Sequence, residues 1–417
     1  MAIIMKKSRV LFMIGMATAI FSNVNANPIV PRWFLVDQEC PTRFYMKSAF
    51  DFSRETVVAF GGEDSLGQYP SDTWEWSGGW TQHQAPGPNG RIGHGICYDT
   101  GHCISLLFGG QNQDGQYLND LWSWDGNSWV LLQTGGPSPR AFFVFAYDQF
   151  RQKAVLFGGI DSSGILGDTW EWNGTQWEER IIDGPPARMQ SAMAFYEWNQ
   201  SNIWYHNLVL FGGKSDISGD YLSDTWILNQ NGWQQVICQN EPSSRSGHVM
   251  AYDDYFTGSL ILHGGSYGGN DSMFYDTWLF YGADWESMEY ISYKPSPRKD
   301  FDICQRPFGR DGESILLIGG RNDSRILNQT WTFPVWRNYI LGDINNDSAF
   351  NGLDLIYGIN YFKGGDQPPY SMECNFSVWY VAGDINGSCS FNGLDITYGV
   401  RYFKGGPAPH PCPACPE

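Results

Sequence analysis

A four-part pattern returns six times between residues 43 and 336, and only a fold with six equivalent units can accommodate it. A Gly-Gly pair preceded by apolar residues ends at Gly62, Gly110, Gly159, Gly213, Gly265 and Gly320, in steps of 48 to 55 residues. Eleven to thirteen residues after each pair comes Trp74, Trp122, Trp170, Trp226, Trp278 or Trp331, five of them in Asp-Thr-Trp or Asp-Leu-Trp and the sixth in Gln329-Thr330-Trp331. A second Trp follows at Trp80, Trp129, Trp177, Trp233, Trp285 and, less regularly, Trp336. A Pro-containing turn then leads to an Arg, at Arg43, Arg91, Arg140, Arg188, Arg245 and Arg298. A period of about 50 residues marks a ring or array of small stacked units.

Each landmark has a physical sense. Val57-Val58-Ala59-Phe60 and its counterparts are continuous apolar runs, as expected of strands buried on both faces. The Gly pair lets backbone pass where a side chain does not fit, and each large Trp fills space between neighbouring sheets, burying about 150–250 Å². On these residues, roughly 30–338 resembles the kelch/galactose-oxidase-like β-propeller superfamily, which implies an all-β six-bladed propeller. The phase of the ends implies how the ring closes. Trp33-Phe34-Leu35-Val36 stands ten residues before Arg43, where an outer strand belongs, so this segment is expected to complete the blade begun at Arg298.

Composition agrees and excludes other classes. Charged residues are 17% of the 417, against about 25% in an ordinary globular chain, while 16% aromatics and 49 Gly favour strands and tight turns over helices or disorder. A formal charge of −18 argues against a nucleic-acid binder, which needs a basic face. Lys6, Lys7 and Arg9 precede an apolar stretch from Val10 to Phe21, and Val24-Asn25-Ala26 offers small side chains for cleavage. Residues 1–26 therefore read as a secretory signal peptide cleaved near Ala26, too short for a membrane span. The expected mature protein is secreted, extracellular or at the cell surface, without a membrane span. The propeller is assigned to 27–338.

Residues 339–406 hold a second duplication. Asp343, Asn345, Asp347, Ala349 (through its carbonyl), Asn351 and Asp354 occupy positions 1, 3, 5, 7, 9 and 12 of a loop that opens a helix. Asp384, Asn386, Ser388, Ser390, Asn392 and Asp395 repeat the spacing 41 residues later. Oxygen ligands at these intervals suit calcium, as in EF-hand-type loops. The first loop should bind better, because Ser388 replaces an acid in the second. Position 6 is Ser348 or Cys389, where such loops usually carry Gly. The duplicated loop-helix resembles type I dockerin repeats. That resemblance implies a small α-helical, calcium-dependent module, a cohesin-like or other scaffold partner, and an extracellular bacterial assembly. The positions after the ninth ligand read Gly-Leu in both copies, leaving partner identity open.

Nine cysteines in an exported chain should mostly pair, with at least one left over. Cys97 and Cys103 flank a turn signal and are expected to bridge a hairpin. Cys374 and Cys389 are further candidates, and Cys412 and Cys415 in the 407–417 tail read as a local disulfide rather than a redox or zinc motif.

Function is expected on the face carrying the b–c loops, which are rich in Asn, Gln, Asp, Ser, Gly and Tyr. Tyr69, Tyr117, Tyr221, Tyr267 and His263 are the candidate face residues. The first three share one repeat position, which favours packing, while His263 replaces the Phe or Ile found before the other Gly pairs; its default reading is a satisfied core histidine, with a place facing the central channel as the alternative. The repeated Arg and Asp read as structural anchors. No nucleophile–base pair, galactose-oxidase-type His/Tyr/Cys set or sialidase box stands out, and no catalytic residue is assigned. The expectation is a binding propeller for protein or glycan; the alternative is a dockerin-bearing carbohydrate-active enzyme with its active site on the propeller face.

Overall fold

The apolar run before each Gly-Gly pair forms a strand with its side chains buried on both faces, as Val57, Val58, Ala59 and Phe60 are. The computed structural model describes residues 33–37, 39–200, 203–215, 220–253, 258–268, 272–288, 294–306, 314–322, 325–333, 352–363, 372–374, 377–379 and 393–404. Arg32–Val335 forms one compact unit, and its described residues build six antiparallel sheets, the blades of a propeller. Strands are lettered a to d within each blade. Blade 1 is Lys47–Asp51, Thr56–Phe60, Thr73–Trp76 and Trp80–His83. Blade 2 is Gly95–Asp99, Ile104–Asn112, Tyr117–Trp124 and Trp129–Thr134, with Arg91–Ile92 also paired to its strand b. Blade 3 is Val144–Asp148, Lys153–Asp161, Gly164–Trp172 and Trp177–Arg180, and blade 4 is Ala192–Gln200, Ile203–Lys214, Tyr221–Asn229 and Gly232–Val236. Blade 5 is Val249–Asp253, Ser259–His263, Thr277–Phe280 and Trp285–Ser287.

Blade 6 closes the ring as the phase of the repeat implies. Its strands a to c are Asp302–Gln305, Ile315–Ile318 and Thr330–Phe333, and its strand d is the N-terminal Phe34–Asp37, paired with Thr330–Phe333. Neighbouring blades bury aromatic side chains between them: Trp124 and Trp129 of blade 2 pack with Val58 and Phe60 of blade 1. Burying one such side chain contributes about 1.5–3 kcal/mol.

The Gly pair joins each blade to the next. The second Gly donates its N–H to the carbonyl of the following blade's Arg: Gly62 to Arg91 at 3.0 Å, Gly110 to Arg140 at 2.8 Å, and so on to Gly320 and Arg43 at 3.3 Å. At Gly61, φ is +68° and a Cβ would stand 2.7 Å from the Arg91 carbonyl oxygen, so no other residue fits without moving the neighbouring blade.

Two sequence expectations change here. The b–c connections after Gly110 and Gly159, expected as loops, are largely strand: Ile104–Asn112 and Tyr117–Trp124 run into the first, Lys153–Asp161 and Gly164–Trp172 into the second. The b–c register slips by one residue at Gly110, Gly159 and Gly213, a bulge, and the ladder then resumes to Tyr117, Gly164 and Tyr221. The Cys97–Cys103 bridge is also absent. Cys97 pairs with Leu106 within the strands and is buried, whereas Cys103 lies at the exposed hairpin tip with φ +56°, and both are free thiols.

The described residues beyond the propeller include helix α1, Gly352–Phe362, and helix α2, Gly393–Phe403, which contact each other. They also include a hairpin of Met372–Cys374 and Ser377–Trp379. No helix among the described residues is long and apolar enough to cross a membrane. Residues 1–26, Cys389, Cys412 and Cys415 lie outside the described residues, as does the side chain of Cys374.

Candidate functional site

Antiparallel blades put the b–c loops and the d–a connections on one face, and the repeated Arg begins strand a at that face. Arg91 shows how it is held. Its Nη1 and Nη2 donate to the two Asp120 oxygens at 2.7 and 2.9 Å, and Nη1 also donates to the Gly109 carbonyl at 2.9 Å. The Trp122 indole N–H donates to the same carboxylate at 2.7 Å. Arg43–Asp72, Arg140–Asp168, Arg188–Asp224 and Arg245–Asp276 repeat the arrangement. Burial works to raise the Asp120 carboxyl, but the hydrogen bonds and charge of Arg91 outweigh it and hold it below its ordinary range. These bidentate pairs consume the repeated charges within each blade, as anchors. Blade 6 departs from the rule: Arg298 is fully buried and its Nη2 meets the neutral Gln329 Oε1 at 2.8 Å. Burial lowers the Arg298 guanidinium to about 9, so it stays cationic at neutral pH.

Two residues after each Arg, the backbone is left-handed in every blade. Tyr45, Gly93, Phe142, Gln190, Gly247 and Asp300 have φ between +55° and +63°. Their peptide groups link successive blades, with Phe142 N–H to Gly93 O at 2.7 Å, Gln190 to Phe142 at 2.8 Å, Gly247 to Gln190 at 3.0 Å and Tyr45 to Asp300 at 2.7 Å. This inner ring escaped the sequence reading, because four of its six members are not Gly. Tyr45 and Phe142 meet across Gly93, ring centroids 5.2 Å apart. Asp300 is 6% exposed and accepts from Arg321 Nε at 2.7 Å. Burial raises the Asp300 carboxyl, with Arg321 opposing it, and burial together with Asp300 raises the Tyr45 phenol.

A cavity of about 550 Å³ opens on the same face between blades 4 and 5, lined by Ser215, Asp220, Tyr221, Ser244, Tyr267 and Gly268. Blade 5 builds its wall from an extra hairpin, Ser266–Tyr267 with Ser272–Met273. Tyr221 O–H donates to the Gly268 carbonyl at 3.2 Å, tying the two blades, and Lys214 Nζ sits 4.8 Å over the Tyr221 ring. Tyr267 stacks on Phe274 at 4.6 Å, and the Arg245 guanidinium lies 3.9 Å from the Phe274 centroid.

The five face candidates thus separate. Tyr221 and Tyr267 come together at this cavity. Tyr69 and Tyr117 are half-buried at other blades, and Tyr69 is fixed through its N–H, which donates to Gln113 Oε1 at 2.8 Å. His263 does not reach the face. It is fully buried at the blade 5–6 boundary, Nδ1 3.0 Å from Thr277 Oγ1 and its ring 4.9 Å from Trp33. Burial, with Arg298 adding, lowers it to about 3, so it is neutral. His94 and His248 are likewise buried and neutral, with His248 lowered to about 3.

Of the twelve calcium-ligand candidates, Asp343, Asn345, Asp347, Ala349, Asn351, Asp384, Asn386, Ser388, Ser390 and Asn392 lie outside the described residues, as does the side chain of Asp354. Asp354 and Asp395 stand in the first turns of α1 and α2, and Asp395 is fully buried. A buried carboxylate at the twelfth position fits the closing ligand of a calcium loop.

A family model described as the KLHDC2/KLHL20/DRC7 Kelch-repeats domain matches residues 47–205 and 175–338. The fold is similar to that of a solved structure entitled "Structure of YjhT", at 18% identity and a TM-score of 0.55, covering 73% of this chain and 98% of that one. No curated protein matches.

Proposed function

The chain belongs to the kelch-repeat family, and from that premise we propose that it is an exported, non-catalytic binding propeller. Its ligand, a protein or a glycan, is held on the b–c loop face. The C-terminal module is of dockerin type, binds calcium and tethers the propeller to a cohesin-like or other scaffold outside the cell. The observation that carries the binding reading is the cavity between blades 4 and 5, whose tyrosines are fixed by stacking and hydrogen bonding before any ligand arrives. Preorganised aromatic and polar groups around a concavity of this size suit a binding site. The repeated Arg and Asp face each other in closed pairs, which supports reading them as scaffold rather than as reacting groups.

The tethering reading rests on the duplicated ligand spacing and on the buried Asp395 opening α2. When bound, calcium would draw the carboxylates of each loop together and fix the start of its helix. The full-length mature chain, immobilised and offered purified cohesin domains with calcium or with chelator, tests this directly. Calcium-dependent retention, lost in Asp343→Ala, is the expected result; equal retention with and without calcium contradicts it.

A further inference from the structure

We propose, resting on the binding reading above, that the cavity between blades 4 and 5 is a subsite for a neutral sugar residue of a glycan chain. Arg245, Phe274 and Tyr267 form a three-tier stack, and its base is fixed by the two Arg245–Asp276 hydrogen bonds of 2.7 and 2.8 Å. The stack occupies one face of Tyr267 and leaves the residue 45% exposed beside the cavity. A ring held this rigidly loses little entropy when it is covered. A pyranose suits such a platform, with C–H groups on its face to cover the ring and O–H groups around its rim. Asp220, Ser215 and Ser244 line the cavity where such hydroxyls need acceptors and donors.

Charge and shape narrow the class. The wall carries a carboxylate, and the nearby cation, Lys214, is engaged over the Tyr221 ring at 4.8 Å. On a chain of formal charge −18 this disfavours uronic acids, phosphorylated sugars and acidic peptides. The depression is shallow and open to solvent, and its volume of about 550 Å³ leaves room for one or two sugar units lying across Tyr267.

The test uses the full mature chain on an array of neutral and acidic oligosaccharides, with a random peptide array as a separate arm. The best neutral oligosaccharide is then titrated calorimetrically against wild type, Tyr267→Phe, Tyr267→Ala and Asp220→Ala. A neutral ligand whose affinity falls at least about tenfold in Tyr267→Ala and in Asp220→Ala, but is kept in Tyr267→Phe, is expected. Unchanged melting temperatures separate lost binding from lost fold. Binding of acidic glycans alone, or of neutral glycans indifferent to both alanine variants, overturns the subsite. Binding of peptides alone overturns it while leaving the binding reading intact, and an empty result in both arms overturns both.

Discussion

The indole N–H of Trp80 donates to Thr330 Oγ1 at 2.9 Å, joining blade 1 to blade 6 across 250 residues of sequence. The same latch links Trp129 to Thr73, Trp233 to Thr169, Trp285 to Thr225 and Trp33 to Thr277, at 2.8–3.0 Å. It explains why the repeat reads Asp-Thr-Trp, and it explains the exception. Leu121 takes the Thr position in blade 2, and the Trp177 Nε1 that should meet it is buried with no partner. Thr73→Val is therefore expected to cost about 1–3 kcal/mol in urea unfolding, because it strands the Trp129 donor. Leu121→Thr should cost less than Leu121→Ala, since only the hydroxyl offers Trp177 an acceptor.

Arg298 is the one repeated Arg whose partner is an amide. Gln329→Asp should recreate the bidentate pair of the other blades and stabilise the protein by about 1 kcal/mol, the difference between a charged and a neutral hydrogen bond. Asp120→Asn should move stability in the opposite direction. Equilibrium unfolding at pH 7 reads both.

The blades were legible because their landmarks are large or conformationally special: Gly at the inter-blade crossing, Trp at the latch, Arg at the anchor. Ring closure was legible from Trp33, whose spacing to Arg43 matches an outer strand. The cavity was not legible as a place. Tyr221 and Tyr267 belong to different blades, and a one-residue bulge at Gly213 sets where strand c begins again at Tyr221. Periodicity does not reveal that offset. His263 breaks the apolar pattern and so stood as a face candidate, but its default reading as a core histidine holds: Thr277 and Trp33 supply a buried place for it.

Acid should destabilise the fold through its buried imidazoles. His248 and His263 are held to about 3 by burial, against about 6.5 in an unfolded chain. Above pH 6.5 they are neutral in both states, so their contribution is complete there. As pH falls below 6.5 the unfolded chain takes up protons that the folded chain refuses, and stability is lost progressively towards pH 3. The lowered Asp72, Asp120, Asp168, Asp224 and Asp276 add to this loss below their unfolded range. His263→Phe, which restores the residue type of Phe60 and Phe211, should flatten the slope between pH 6 and 4 by about 1.4 kcal/mol per pH unit. An unchanged slope counts against the assignment.

If the duplicated loops bind calcium, the ion should couple to the helices they open. Chelation of the full chain is expected to reduce helical circular dichroism, and Asp343→Ala should reproduce most of that loss even with calcium present. Asp384→Ala should do less, because the second loop carries fewer carboxylates. A helical signal indifferent to chelator and to both variants removes calcium from the account.

The central claim is that the loop face binds and does not transform its ligand. Incubating the full mature chain with its best array ligand, then recovering that ligand for mass spectrometry, tests it most directly. The account predicts a ligand retained by the wild-type protein, released by Tyr267→Ala and recovered chemically intact. Accumulation of cleaved or oxidised product by the wild type, and not by a heat-unfolded control, contradicts it.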